Sequence, residues 1–137
     1  MAGKRVLVVG GETAVGRAVA VGLAEAGADV AIASLTQEME AEFSINSALN
    51  ELWALGRQGV ALVIDASDAD EARDALHRAE REIGRIDAAV VVSSAGVALA
   101  ALRDALGGRR LIEVAEDGSA EEAVAAVRDV VEGAGQT

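Results

Sequence analysis

The sequence predicts an α/β fold: a three-layer, doubly wound parallel sheet of about five strands flanked by helices. Three observations predict it. Short, β-branched, almost wholly apolar runs recur along the chain, and strands apolar on both faces are those buried inside a parallel sheet. An amphipathic stretch follows each run, as right-handed strand–helix–strand crossovers require. Glycines stand where the first four of these stretches stop, the position at which a left-handed helix cap favours them.

The first strand is predicted at Val6–Val9, and the helix after it carries Val15, Ala18, Val19, Gly22, Leu23 and Ala26 on one face. The second strand is Val30–Ala33. Its helix runs from about Gln37 to Leu55, with Ile45, Ala48, Leu49, Leu52 and Trp53 in register. Phe43 and Trp53, the two aromatic residues, are assigned to packing on this helix. The third strand, Val60–Ile64, leads to a helix with Ala72, Ala75, Leu76, Ala79 and Ile83 inward. Arg73, Arg78, Arg81 and Arg85 alternate with acids on its outer side and imply a salt-bridged surface, with His77 partly exposed among them. The fourth strand, Ala88–Val92, precedes a short helix from about Val97 to Leu106. The fifth, Leu111–Val114, precedes a helix that opens at Ser119, whose spacing from Glu122 matches a capping box, and continues through Val124, Val127 and Val131. Gly27, Gly56, Gly84 and Gly107 are the expected helix terminators.

Composition narrows the function. A length of 137 residues suits one domain, 1–137, and an apolar share of 52% against 26% charged is that of a globular chain. The net charge of −11 repels polyanions, so nucleic acid is not an expected partner. With no Cys and one His, disulfides, thiol catalysis and a His/Cys zinc site are excluded within these residues. The apolar run near the N-terminus is too short for a signal segment or a membrane span, so no membrane partner and a cytoplasmic location are expected.

In a doubly wound sheet, ligands bind beyond the carboxyl ends of the strands, near the point where strand order reverses. The first such loop reads Gly10-Gly11-Glu12-Thr13-Ala14-Val15-Gly16. Glycine directly after a strand permits a tight turn. Small residues entering the helix let backbone approach a pyrophosphate, which the helix N-terminus attracts through its N–H groups and dipole. Gly-Gly after a strand also occurs as a plain turn.

With that loop, the sequence resembles the short-chain dehydrogenase/reductase family over roughly residues 4 to 96. The family's three-glycine motif falls on Gly10, Ala14 and Gly16, with Gly11 at a second small position and Val9 in place of the usual Thr. Asp65 occupies the position whose carboxylate, in the family, accepts from the adenine amino group; a turn or capping carboxylate is its plainer role. Ser93-Ser94-Ala95-Gly96, preceded by Gly84-Arg85-Ile86-Asp87, resembles the family's Asn-Asn-Ala-Gly segment, with serine for both asparagines. The resemblance implies a Rossmann-like dinucleotide-binding domain. Its candidate cofactor-binding residues are Gly10, Gly11, Thr13, Ala14, Val15, Gly16, Ser34, Asp65, Ala66, Ser93, Ser94, Ala95 and Gly96.

The same resemblance shows what these residues lack. Family members oxidise or reduce a carbonyl/alcohol pair with a Ser, a Tyr and a nearby Lys. This chain contains no Tyr, and its one Lys, Lys4, opens the first strand away from the candidate site. No catalytic residue and no metal ligand is therefore assigned. NAD-specific relatives carry an Asp at the end of the second strand for the ribose hydroxyls, and NADP-specific ones carry Arg or Lys nearby. Ala33-Ser34-Leu35-Thr36 supplies neither, and Glu12 would repel a 2′-phosphate. The expectation is NAD rather than NADP, or no cofactor.

Four functions remain open on these grounds. The favoured one is an NAD(P)-binding module without independent redox catalysis, free to associate with itself or with another protein. The others are an oxidoreductase subunit completed by a partner chain, a ligand-free shortened or engineered scaffold, and a receiver-like signalling domain. The last has Asp65 and Ser93/Ser94 at suitable strand ends but lacks the acidic pair and the Lys such domains need.

Overall fold

Val6 and Val8 of the first strand belong to one buried apolar cluster, Leu7 and Val9 to a second, and all four are at most 2% exposed. That alternation is the period-two geometry of a strand covered on both faces. The computed structural model describes residues 2–34, 39–63, 69–93, 99–115 and 117–132.

The elements alternate without exception: β1 (Arg5–Val9), α1 (Ala14–Glu25), β2 (Asp29–Ser34), α2 (Met39–Ala54), β3 (Gly59–Val63), α3 (Ala69–Ile83), β4 (Ala88–Ser93), α4 (Leu99–Leu106), β5 (Arg110–Ala115) and α5 (Ala120–Val131). The strands form one parallel sheet in the order β3-β2-β1-β4-β5. Strand order reverses between β1 and β4, where Val6 pairs with Ala88 and Val9 with Val91. The three-layer, doubly wound architecture is therefore present. Each predicted strand lies within about one residue of an observed one, with Ile64 outside the described residues.

The layers divide unevenly. Residues of α1, α2 and α5 share the cluster that contains Val6, Val8 and Ile32. Those of α3 and α4 share the cluster that contains Leu7, Val9 and Ala33. Ser119 caps α5 as its spacing predicts, accepting from the Glu122 N–H at 3.2 Å. The four helix-terminating glycines all take positive φ.

Three sequence expectations are corrected. On α1 the buried stripe is Val15, Gly16, Val19, Ala20, Leu23 and Ala24, whereas Ala18 is exposed and Gly22 faces α5. The sheet-facing stripe is thus rotated by one residue, because α5 occupies the flank on which Gly22 lies. Phe43 and Trp53 are 69% and 56% exposed, because α2 covers the sheet with Ile45, Ala48, Leu49 and Leu52 alone. Of the four arginines assigned to a salt-bridged surface, Arg73 pairs with Asp70 and Asp104. Arg78, Arg81 and Arg85 form no ion pair among the described residues.

Candidate functional site

The loop from Gly10 to Gly16 leaves the carboxyl end of β1, beside the strand-order reversal. Gly10 and Gly11 donate their N–H groups to the Ala33 carbonyl at 2.9 and 3.1 Å, which locks the turn against β2. Gly10 has φ +90°, a conformation that L side chains rarely adopt, and a Cβ there would stand 2.9 Å from the Val92 Cβ. Turn and packing both require glycine at this position.

Thr13 connects the turn to the helix. Its hydroxyl donates to the Gly10 carbonyl at 2.7 Å and accepts from the Gly16 N–H at 3.0 Å, making it the N-cap of α1. Its backbone carbonyl accepts from Arg17 N–H at 2.9 Å. The N–H groups of Ala14 and Val15, the first two of the helix, have no partner among the described residues. Two unpaired donors at the positive end of a helix dipole form a site for an anionic oxygen. Of the residues assigned to this loop from sequence, Thr13 and Gly16 build it, and Ala14 and Val15 present the donors.

At the end of β2, Ser34 is 3% exposed and its hydroxyl lies 3.5 Å from Glu12 Oε2. Ser44 of α2 donates to the Glu12 carbonyl at 3.2 Å and so ties the loop to that helix. Glu12 therefore places a carboxylate beside the strand end where sequence reasoning found no acidic residue. The two positions are 22 residues apart. The signal that could have joined them is the parallel pairing of Val9 with Ala33. Ser93 closes β4 opposite Ala115. Its side chain lies outside the described residues, as do Asp65, Ala66, Ser94, Ala95 and Gly96.

Lys4 precedes β1 at the amino end of the sheet, a strand length from the loop. Among the described residues no helix is long and apolar enough to cross a membrane, and no group of three or more His, Asp or Glu is arranged to hold a metal.

A parallel sheet with this strand order, a glycine turn at its reversal and a helix N-terminus with unpaired donors defines the Rossmann-like class. The family model for short chain dehydrogenases matches residues 4–135. The chain belongs to the short-chain dehydrogenase/reductase family. It is 40% identical over 95 residues to an L-rhamnose 1-dehydrogenase (NAD(P)(+)) of Sphingomonas sp. (strain SKA58), covering 69% of this chain and 35% of that one. It is 36% identical over 101 residues to the uncharacterized oxidoreductase YghA of Escherichia coli (strain K12), covering 74% and 33%. The crystal structure of a short-chain type dehydrogenase/reductase from Mycobacterium marinum superposes with a TM-score of 0.64 at 25% identity, over 82% of this chain and 56% of that one. The chain spans about a third of the length of the curated relatives it matches.

Proposed function

We propose that this chain binds NAD(P) at the Gly10–Gly16 loop and that its 137 residues carry no redox catalysis of their own. The observation that supports this most directly is the pair of unpaired N–H groups on Ala14 and Val15, held open by the Thr13 cap. Pyrophosphate oxygens accept from such donors, and the glycine turn lets them approach the backbone. The remaining assigned positions, Ser34, Asp65, Ala66 and Ser93 to Gly96, complete the dinucleotide groove in this reading. When bound, the cofactor would supply hydride chemistry. This chain binds and orients it, and has no Tyr to move the proton. The sugar dehydrogenase among its relatives carries both cofactor forms in its name, in keeping with a dinucleotide ligand.

NAD is favoured over NADP. Glu12 stands beside Ser34 at the end of β2, and its carboxylate repels a 2′-phosphate placed there while accepting hydrogen bonds from ribose hydroxyls.

Calorimetric titration with NAD, NADH, NADP and NADPH tests the reading. Saturable one-to-one binding is expected, tighter for NAD than for NADP, with amide shifts of Ala14 and Val15 in a parallel NMR titration. Absence of heat with every dinucleotide at millimolar concentration would overturn it, and the glycine loop would then be a turn alone.

A further inference from the structure

At the opposite end of the sheet, a recess of about 680 Å³ lies among the amino ends of β1, β4 and β5 and the last turn of α5. Lys4, Arg85, Arg109 and Arg110 line it, with Asp87 as the one acid among the described lining residues. Four of the twelve Lys and Arg residues thus converge on one recess of a chain whose net charge is −11.

Pairing makes the concentration sharper. Glu80 takes up Arg109 at 3.0 Å, and the Asp87 carboxylate accepts the Arg5 backbone N–H at 2.9 Å. Glu132, just beyond the lining residue Val131, is 4.0 Å from Arg128. Lys4, Arg85 and Arg110 form no ion pair among the described residues. Beside them, the Arg5 guanidinium lies against Gly84, its Nε buried without a hydrogen-bond partner. Cations also gather near helix C-termini to complement the dipole, and α4 and α5 both end at this recess. That accounts for a cation at each helix end, and not for three unpaired ones around a single hollow.

We propose that this recess binds a small phosphomonoester, its phosphate held by Lys4, Arg85 and Arg110 and its organic part set against Leu106, Val130 and Val131. A phosphate carries up to two charges and three acceptor oxygens, which three cations match better than the single charge of a carboxylate does. The volume lies within the usual span of small-molecule pockets and exceeds what a bare phosphate fills. The site is independent of the dinucleotide loop, from which it is separated by the length of the strands, on the order of 15 Å for five residues.

The test is an amide NMR titration with phenyl phosphate, and separately with inorganic phosphate, at ionic strength matched with sodium chloride. Saturable shifts at Gly107, Gly108 and Arg110 are expected, with phenyl phosphate binding more tightly than inorganic phosphate. In the double variant Arg85→Gln/Arg110→Gln the dissociation constant should rise at least about tenfold. Arg103→Gln, an exposed cation elsewhere on α4, should leave it unchanged. Shifts confined to Gly10–Gly16, shifts unaltered in the double variant, or no preference for phenyl phosphate would each overturn the proposal.

Discussion

The carbonyl oxygen of Gly10 stands where a side chain at residue 16 would begin: a Cβ on Gly16 would lie 2.2 Å from it. The obstacle is backbone, and that backbone is fixed by the Gly10 N–H bond to Ala33 and the Thr13 hydroxyl bond to Gly10. Neither partner can swing away as a flexible side chain would. Gly16→Ala is therefore expected to cost about 1–3 kcal/mol of stability. It should also weaken dinucleotide binding by misplacing the Ala14 and Val15 donors. Urea denaturation and titration with NAD, run on the same preparation, check both halves. Unchanged stability would mean that the loop yields where the structure shows it held.

Thr13 makes four bonds at this junction, two through its hydroxyl, one through its carbonyl and one through its backbone N–H, which donates to the Gly10 carbonyl. Thr13→Ala deletes the hydroxyl pair and leaves the Gly16 N–H uncapped. The expected loss is about 1 kcal/mol, with most of it recovered in Thr13→Ser, which keeps the oxygen. The urea midpoint should fall while the slope of the transition stays constant, since the change affects a cap and not the area buried.

Helix α2 shows both what the sequence reveals and what it conceals. Its apolar period places Ile45, Ala48, Leu49 and Leu52 on the sheet, and all four are buried. The same period carries on to Trp53, which is 56% exposed although its neighbour Leu52 is fully buried. An apolar residue at the margin of a helical stripe faces solvent when the strand beneath is at the sheet edge, as β3 is. Periodicity does not report which strand that will be. The strands and helix ends were legible because each depends on local chemistry: β-branched runs, glycines and a Ser–Glu cap. The Glu12–Ser34 neighbourhood depends on register between strands, and the unpaired cations at the amino ends depend on topology. Neither leaves a mark in any short window of sequence.

That contrast is measurable. Leu52→Ala should destabilise the protein by about 2–5 kcal/mol, because a fully buried leucine leaves a cavity. Trp53→Ala should stay within about 0.5 kcal/mol of the parent despite removing a far larger side chain, as substitutions at exposed positions do. Comparing the two midpoints in one denaturation series decides the matter. A loss of more than about 2 kcal/mol in Trp53→Ala would show that the indole is buried in solution, against its exposure here.

Glu12 offers the sharpest test of cofactor choice, because it acts by charge without building the turn. Its Oε2 is 3.5 Å from the Ser34 hydroxyl, its backbone carbonyl is held by Ser44, and the turn bonds of Gly10, Gly11 and Thr13 do not involve its side chain. Glu12→Gln keeps the size and removes the charge. A unit charge pair at 4 Å is worth about 1 kcal/mol in water and more where burial lowers the dielectric, as it does at the buried Glu12 Oε1, and a 2′-phosphate carries more than one charge. Removing the repulsion should raise affinity for NADP relative to NAD by about tenfold. Glu12→Arg should go further and reverse the preference, since a guanidinium recognises phosphate directly. Both ratios come from paired titrations at one ionic strength, because salt screens the effect. If NAD and NADP bind with the same ratio in the parent chain and in Glu12→Gln, the carboxylate does not face the ribose. Selectivity would then have to arise from another part of the groove, and the assignment of Glu12 to the end of β2 would lose its functional meaning.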